Sequence, residues 1–178
     1  MMLTPKEEVY RLQIFRRIES LGKFLNDHSL RTSDTPAIWY QFMSEFKTIQ
    51  GNLNNDMSFI STLLAKGYLV ERFAVNFDAA EKLQGAPGID IDLKTSEGLR
   101  IVAEIKTTTP YQATDFGAQQ AASFKKDFLK LVAAIADYKF LFVTDRRSFD
   151  VLKKSKYTKQ ISGVIIVLLP QEIGRAHV

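Results

Sequence analysis

Two short runs carry residue types that could do chemistry together, Asp90-Ile-Asp92 and Glu104-Ile-Lys106. If both runs are strands, Asp90 and Asp92 share one face of the first, and Glu104 and Lys106 share one face of the second. A turn centred on Glu97 sets Asp90 opposite Glu104. Facing carboxylates repel across a strand pair, so a sequence that puts two there with a lysine alongside points to a divalent cation between them and a basic neighbour. The register of the turn decides whether Asp90 or Asp92 faces Glu104.

Several elements must position these groups. The stretch from Gly88 to Lys106 reads as a β-hairpin, with an alternating run to Leu93, a polar turn over Thr95 to Gly98 and a second alternating run from Leu99. Upstream, Asn54-Asn55 caps a helix with Phe59, Ile60, Leu63 and Leu64 inward and Gly67 as its stop. Tyr68 to Phe77 has strand composition, and Asp78 to Gly85 is a polar connection. Downstream of Thr107 to Pro110, a long helix is expected from about Asp115 or Gly117 to Asp137, burying Ala121, Phe124, Phe128, Leu131, Val132 and Ile135. Lys139 to Thr144 is an apolar run of the kind buried on both sides of a sheet. A short helix over Asp145 to Lys159 and a strand over Gly163 to Leu169 follow. The order from Asn55 is helix, three strands, helix, strand, helix, strand, which predicts an α/β sandwich with a mixed sheet.

The N-terminal part is helical. Thr4-Pro5-Lys6-Glu7 combines a cap, a proline at the first helical position and a glutamate three residues after the cap. The helix is expected to run to about Leu25 on a buried stripe of Val9, Leu12, Phe15, Ile18, Leu21 and Leu25. Asn26 to Thr35 reads as a loop holding His28, a surface residue. Asp34-Thr35-Pro36 opens a second helix that ends near Gly51 and turns Trp39, Phe42, Phe46 and Ile49 inward as core. The chain divides on this reading into a helical region over 1–53, a core over 54–171 and a tail over 172–178.

Composition narrows the class. The 178 residues suffice for a real core, cysteine is absent, and no apolar run reaches membrane-span length. With no basic-then-apolar signal at the start, a soluble cytoplasmic protein is expected. A net charge of +4 permits nucleic-acid binding without requiring it. The last residues, Glu172 to Val178, look like the translation of a sequencing-adapter oligonucleotide, so His177 is set aside as a ligand. On that expectation the reading frame is truncated, which leaves open whether further domains follow Gln171; the other reading is an ordinary frayed terminus.

Pro87-Gly-Ile-Asp90, thirteen intervening residues and Glu104-Ile-Lys106 stand within this order of elements. Together they resemble the PD-(D/E)xK nuclease superfamily, the restriction-endonuclease-like fold (αβββαβ). The resemblance covers roughly Asn55 to Thr144, with Val164 to Leu169 as an added strand. The literal Pro-Asp pair is absent, since Gly88 and Ile89 separate Pro87 from Asp90.

What the resemblance implies is a Mg2+-dependent DNA endonuclease, of the restriction type and working as a homodimer. Asp90, Glu104 and the backbone carbonyl of Ile105 would hold the metal, with Asp92 as the alternative or second-metal ligand. Lys106 would orient or deprotonate the attacking water, or stabilise charge on phosphorus. Asp56 is either the extra acid that some members place at that helix start or a partner of the helix dipole. Gln120-Ala-Ala-Ser-Phe124 is similar to a glutamine-x-x-x-tyrosine element of one nuclease branch, with Phe for Tyr. Lys125, Lys126, Lys130, Arg146, Arg147, Lys153, Lys154, Lys156 and Lys159 are candidates for DNA phosphate contacts, or a solvated face. Other readings are a repair or junction-resolving nuclease of the same fold and a catalytically silent DNA-binding module.

Overall fold

The computed structural model describes residues 2–82, 86–112 and 114–170. The chain forms two compact units, residues 2–56 and the chain from Met57 onward. The tail expected over 172–178 lies outside the described residues.

The first unit is a helical pair, α1 (Pro5–Asp27) and α2 (Pro36–Gln50). Thr4 and Glu7 form the expected capping box: Glu7 N–H donates to Thr4 Oγ1 (3.2 Å), and Thr4 N–H donates to Glu7 Oε2 (2.8 Å). Gly51 ends α2 with φ +67°. The buried stripe of α1 differs from the expected one. Val9, Leu12, Phe15, Ile18 and Leu25 are exposed, whereas Glu7 and Phe24 are buried and Tyr10, Ile14, Arg17 and Leu21 are half-buried. Steps of three residues drift about 60° per step around a helix, so Val9, Leu12, Phe15 and Ile18 wind off any single face. Alternating steps of three and four stay on one. In α2, Phe42, Phe46 and Ile49 are half-buried and Trp39 is exposed, its indole N–H donating to the Arg31 carbonyl (3.2 Å).

The second unit is α/β. A four-stranded mixed sheet runs in the order β1 (Ile91–Lys94), β2 (Arg100–Lys106), β3 (Tyr138–Val143), β4 (Ile165–Leu168), with β1 antiparallel to β2 and the other pairs parallel. The unit boundary falls inside α3 (Leu53–Phe73), whose Ala65 and Leu69 pack on one sheet face with Ile91, Ile101, Ala103, Phe140 and Phe142. The other face carries Val102, Leu141 and Val143, covered by Phe124, Phe128 and Leu131 of α4 (Ala118–Ala133). Val151 and Leu152 of α5 (Arg146–Leu152) and Tyr157 of α6 (Ser155–Thr158) complete that layer.

Two expectations about elements are corrected. No strand forms at Tyr68 to Phe77, because α3 continues through Gly67 to Phe73. Tyr68 meets the sheet edge-on, 5.7 Å from the Phe140 ring and 5.4 Å from Phe142. Helical spacing puts Ala65, Tyr68 and Leu69 on the same core, and that packing overrides β-propensity. Among the described residues the expected helix-strand-strand-strand opening is therefore helix-strand-strand. In α4 the helix stops at Ala133, where the Ala134 N–H caps on the Lys130 carbonyl (3.0 Å). Val132 and Ile135, expected in its core, are 45 % and 88 % exposed.

Candidate active site

The hairpin sets the geometry. Thr95 N–H donates to the Leu99 carbonyl (2.9 Å), Gly98 N–H donates to the Thr95 carbonyl (3.0 Å), and Gly98 supplies the turn's left-handed residue at φ +84°. This closure pairs Ile91 with Ala103 and Asp92 with Val102. One step further along the same register, Asp90 stands opposite Glu104. Its Oδ2 accepts the Ile105 N–H at 2.9 Å.

Asp90 and Glu104 open onto a cleft of about 520 Å3, also lined by Lys82, Lys106, Asp127 and Lys130. Glu104 is 2 % exposed and sits in a chain of alternating charge. Lys130 Nζ donates to Glu104 Oε1 (3.1 Å) and to Asp127 Oδ1 (2.9 Å), while Lys106 pairs with Asp127 Oδ2 and donates to Ser123 Oγ (3.0 Å). The Lys106 ammonium also lies 5.5 Å from the Phe124 ring centroid. Burial first, then the charges of Asp90 and Asp127 and a hydrogen bond with Asp90, push the Glu104 carboxyl up to about 8 against the opposing pull of Lys130. Lys82 reaches from the preceding connection and donates to the Ile89 carbonyl, tying down the segment that carries Asp90.

Of Ser123, Asp127 and Lys130, only Lys130 was a sequence candidate, and that for a phosphate contact. They form a polar stripe spaced by four and three residues, displaced by one position from the apolar stripe Phe124, Phe128, Leu131. A polar stripe hugging the buried edge of an amphipathic helix was the signal available for them.

Other sequence candidates are not among the residues lining this cleft. Asp92 makes a two-pronged contact with Arg100, Oδ1 to Nε at 2.9 Å and Oδ2 to Nη2 at 2.7 Å. The Arg100 hydrogen bond holds its carboxyl below the usual range against the opposing effect of burial. Asp92 is therefore a structural ion pair and does not line the cleft. Asp56 pairs with Arg17 and hydrogen-bonds Tyr10. Gln120 also has a structural task. Its Oε1 accepts the Tyr111 and Gly117 N–H groups (both 3.2 Å), and its Nε2 donates to the Thr109 carbonyl (2.8 Å), clamping the segment before α4. Lys125, Lys126 and Arg147 are exposed. Arg146 pairs with Asp150, Lys153 stands 4.1 Å from the Phe149 ring centroid, and Lys154 donates to the Thr114 carbonyl.

Two adjacent carboxylates, one driven toward its neutral form by burial first and then by the other, fit an oxygen-liking divalent cation. Among the described residues no group of three or more His, Cys, Asp or Glu is gathered to hold a metal ion, so the Asp90 and Glu104 side chains would need the Ile105 carbonyl to complete a protein ligand set. Also among the described residues, no helix is long and apolar enough to cross a membrane. Comparison of the chain with protein-family models, curated proteins and solved structures yields no match.

Proposed function

We propose that the chain is a magnesium-dependent endonuclease acting on double-stranded DNA, with a restriction-endonuclease-like core and restriction-type cleavage as its activity. The observation that carries this reading is the meeting of Asp90, Glu104 and Lys106 in one cleft through the hairpin register, with the Glu104 carboxyl raised by burial first and by its acidic neighbours next.

Asp90, Glu104 and the Ile105 carbonyl would hold the metal. When bound, magnesium supplies neutralisation of the phosphoryl oxygens and acidification of a water. The protein's own groups do the rest. The Ile105 N–H fixes the Asp90 carboxylate, and Lys130 fixes the Glu104 carboxylate, so neither rotates out of the cleft. Ser123 and Asp127 hold the Lys106 ammonium on the same strand face as Glu104. So held, Lys106 is a hydrogen-bond donor suited to charge building on a phosphoryl oxygen, which favours charge stabilisation over proton abstraction. Lys125 and Lys126, exposed on the same helix, and Arg147 are the groups assigned to phosphates of the duplex.

The test is incubation of the purified protein with plasmid DNA and with synthetic junctions, with and without magnesium. Discrete, magnesium-dependent plasmid fragments are expected. Asp90→Ala and Lys106→Ala should each lower cutting by about a hundredfold or more while circular dichroism stays unchanged. Binding without cleavage, or wild-type cutting by either variant, overturns the assignment.

A further inference from the structure

The cleft holds a cation of its own. Lys130 Nζ stands between two carboxylates carried by different elements, 3.1 Å from Glu104 Oε1 on β2 and 2.9 Å from Asp127 Oδ1 on α4. Both acids are buried, and Lys130 is half-buried at the same place. A single positive centre bridging carboxylates from two elements is the arrangement that a shared divalent ion makes at an oxygen-rich site.

Glu104 therefore has two sets of partners. One hydrogen bond joins it to Asp90, the pair assigned above to magnesium, and another joins it to Lys130. In a two-ion phosphodiesterase a shared carboxylate of this kind holds both ions. Here no acid is left to complete a second ion's shell. Asp92 is engaged by Arg100, Asp127 Oδ2 is paired with Lys106, and among the described residues no group of three or more His, Cys, Asp or Glu is gathered.

Charge balance favours the same conclusion. Asp90, Glu104 and Asp127 line the cleft together with Lys82, Lys106 and Lys130, so the formal charges of these side chains cancel. One divalent ion leaves an excess of two positive charges, which a phosphodiester gaining negative charge under attack can offset. A second divalent ion would double that excess in a partly buried site, where like charges are weakly screened.

We infer that Lys130 takes the place of a second metal ion, so that the chain binds a single divalent cation and supplies the other positive charge from α4. The inference rests on the metal-dependent reading above and adds to it the number of ions and the origin of the second charge. An ammonium neutralises charge without acidifying a water as a metal does. The role left to Lys130 is charge neutralisation beside Glu104.

Counting bound Mn2+, used in place of Mg2+, tests this without any activity measurement. Electron paramagnetic resonance gives both the number of ions bound per chain and whether two of them are magnetically coupled, and circular dichroism is the folding control. The wild type should bind about one Mn2+ per chain with an uncoupled spectrum. Lys130→Gln and Lys130→Met each free Glu104 and Asp127, and should bind about two with coupling between them. Lys130→Arg keeps the charge and should stay at about one. The double variant Asp127→Asn/Lys130→Gln removes the second acid as well and should return to about one. A wild type that binds two ions, or Lys130→Gln and Lys130→Met variants that still bind one, overturns the role of Lys130 and leaves the metal-dependent reading standing. A wild type that binds none overturns both.

Discussion

Replacing Glu104 by glutamine should make the protein more stable above neutral pH and flatten its dependence on pH. The side chain is 2 % exposed, and its carboxyl is raised from 4.5 to about 8, by burial first and by Asp90 and Asp127 next. The folded chain therefore keeps a proton that the unfolded chain has released between those two values, and stability falls as pH rises through the window. The contribution is fully present below pH 4.5 and lost above about pH 8. At roughly 1.4 kcal/mol per pH unit the ceiling is about 5 kcal/mol, and about 2–5 kcal/mol is expected after relaxation of the neighbours. Glutamine keeps the size and an acceptor for Lys130, which also retains its 2.9 Å contact with Asp127. Urea unfolding at intervals from pH 5 to 9 for wild type and Glu104→Gln measures the difference directly. The wild type should lose ground to the variant from pH 5 to about 8 and level off above it. Parallel profiles, agreeing within about 0.5 kcal/mol throughout, would refute the view that Glu104 is a buried acid crowded by like charge.

Asp92→Asn tests the separation of the two aspartates. It weakens an exposed pair with Arg100, so a stability loss of about 1 kcal/mol or less is expected, with DNA cleavage kept at the wild-type rate; loss of cleavage in a folded variant would return Asp92 to the site. Gly98→Ala should cost about 1–2 kcal/mol in urea unfolding, from the φ of +84° alone, since a Cβ there would meet nothing within 4 Å. An unchanged unfolding midpoint would show that the turn re-forms in another conformation.

The parts of this structure legible in the sequence were those written in local chemistry. Thr4, Pro5 and Glu7 announce the start of α1. The hairpin register follows from the turn residues Thr95 to Gly98 together with alternation on either side, and it sets Asp90 on the Glu104 row. The parts that stayed hidden depend on what a segment packs against. Tyr68 and Leu69 carry strand-like composition, yet the sheet beneath them rewards a helical face. The inner side of α1 is marked by Glu7 and Arg17 as much as by Phe24, so a search for apolar spacing alone reads the wrong side. The meeting of Asp127 and Lys130 with Lys106 and Glu104 was hidden because the helix and the strand that carry them follow different periods.

Every charged group that lines the cleft beyond Lys82 lies on a single uninterrupted length of chain, from Asp90 to Lys130, comprising one hairpin and the helix after it. On the proposed reading, that arrangement makes the chemistry portable, because the hairpin alone sets the spacing of Asp90, Glu104 and Lys106. A lineage carrying this segment could exchange its flanks without moving the residues assigned to the reaction.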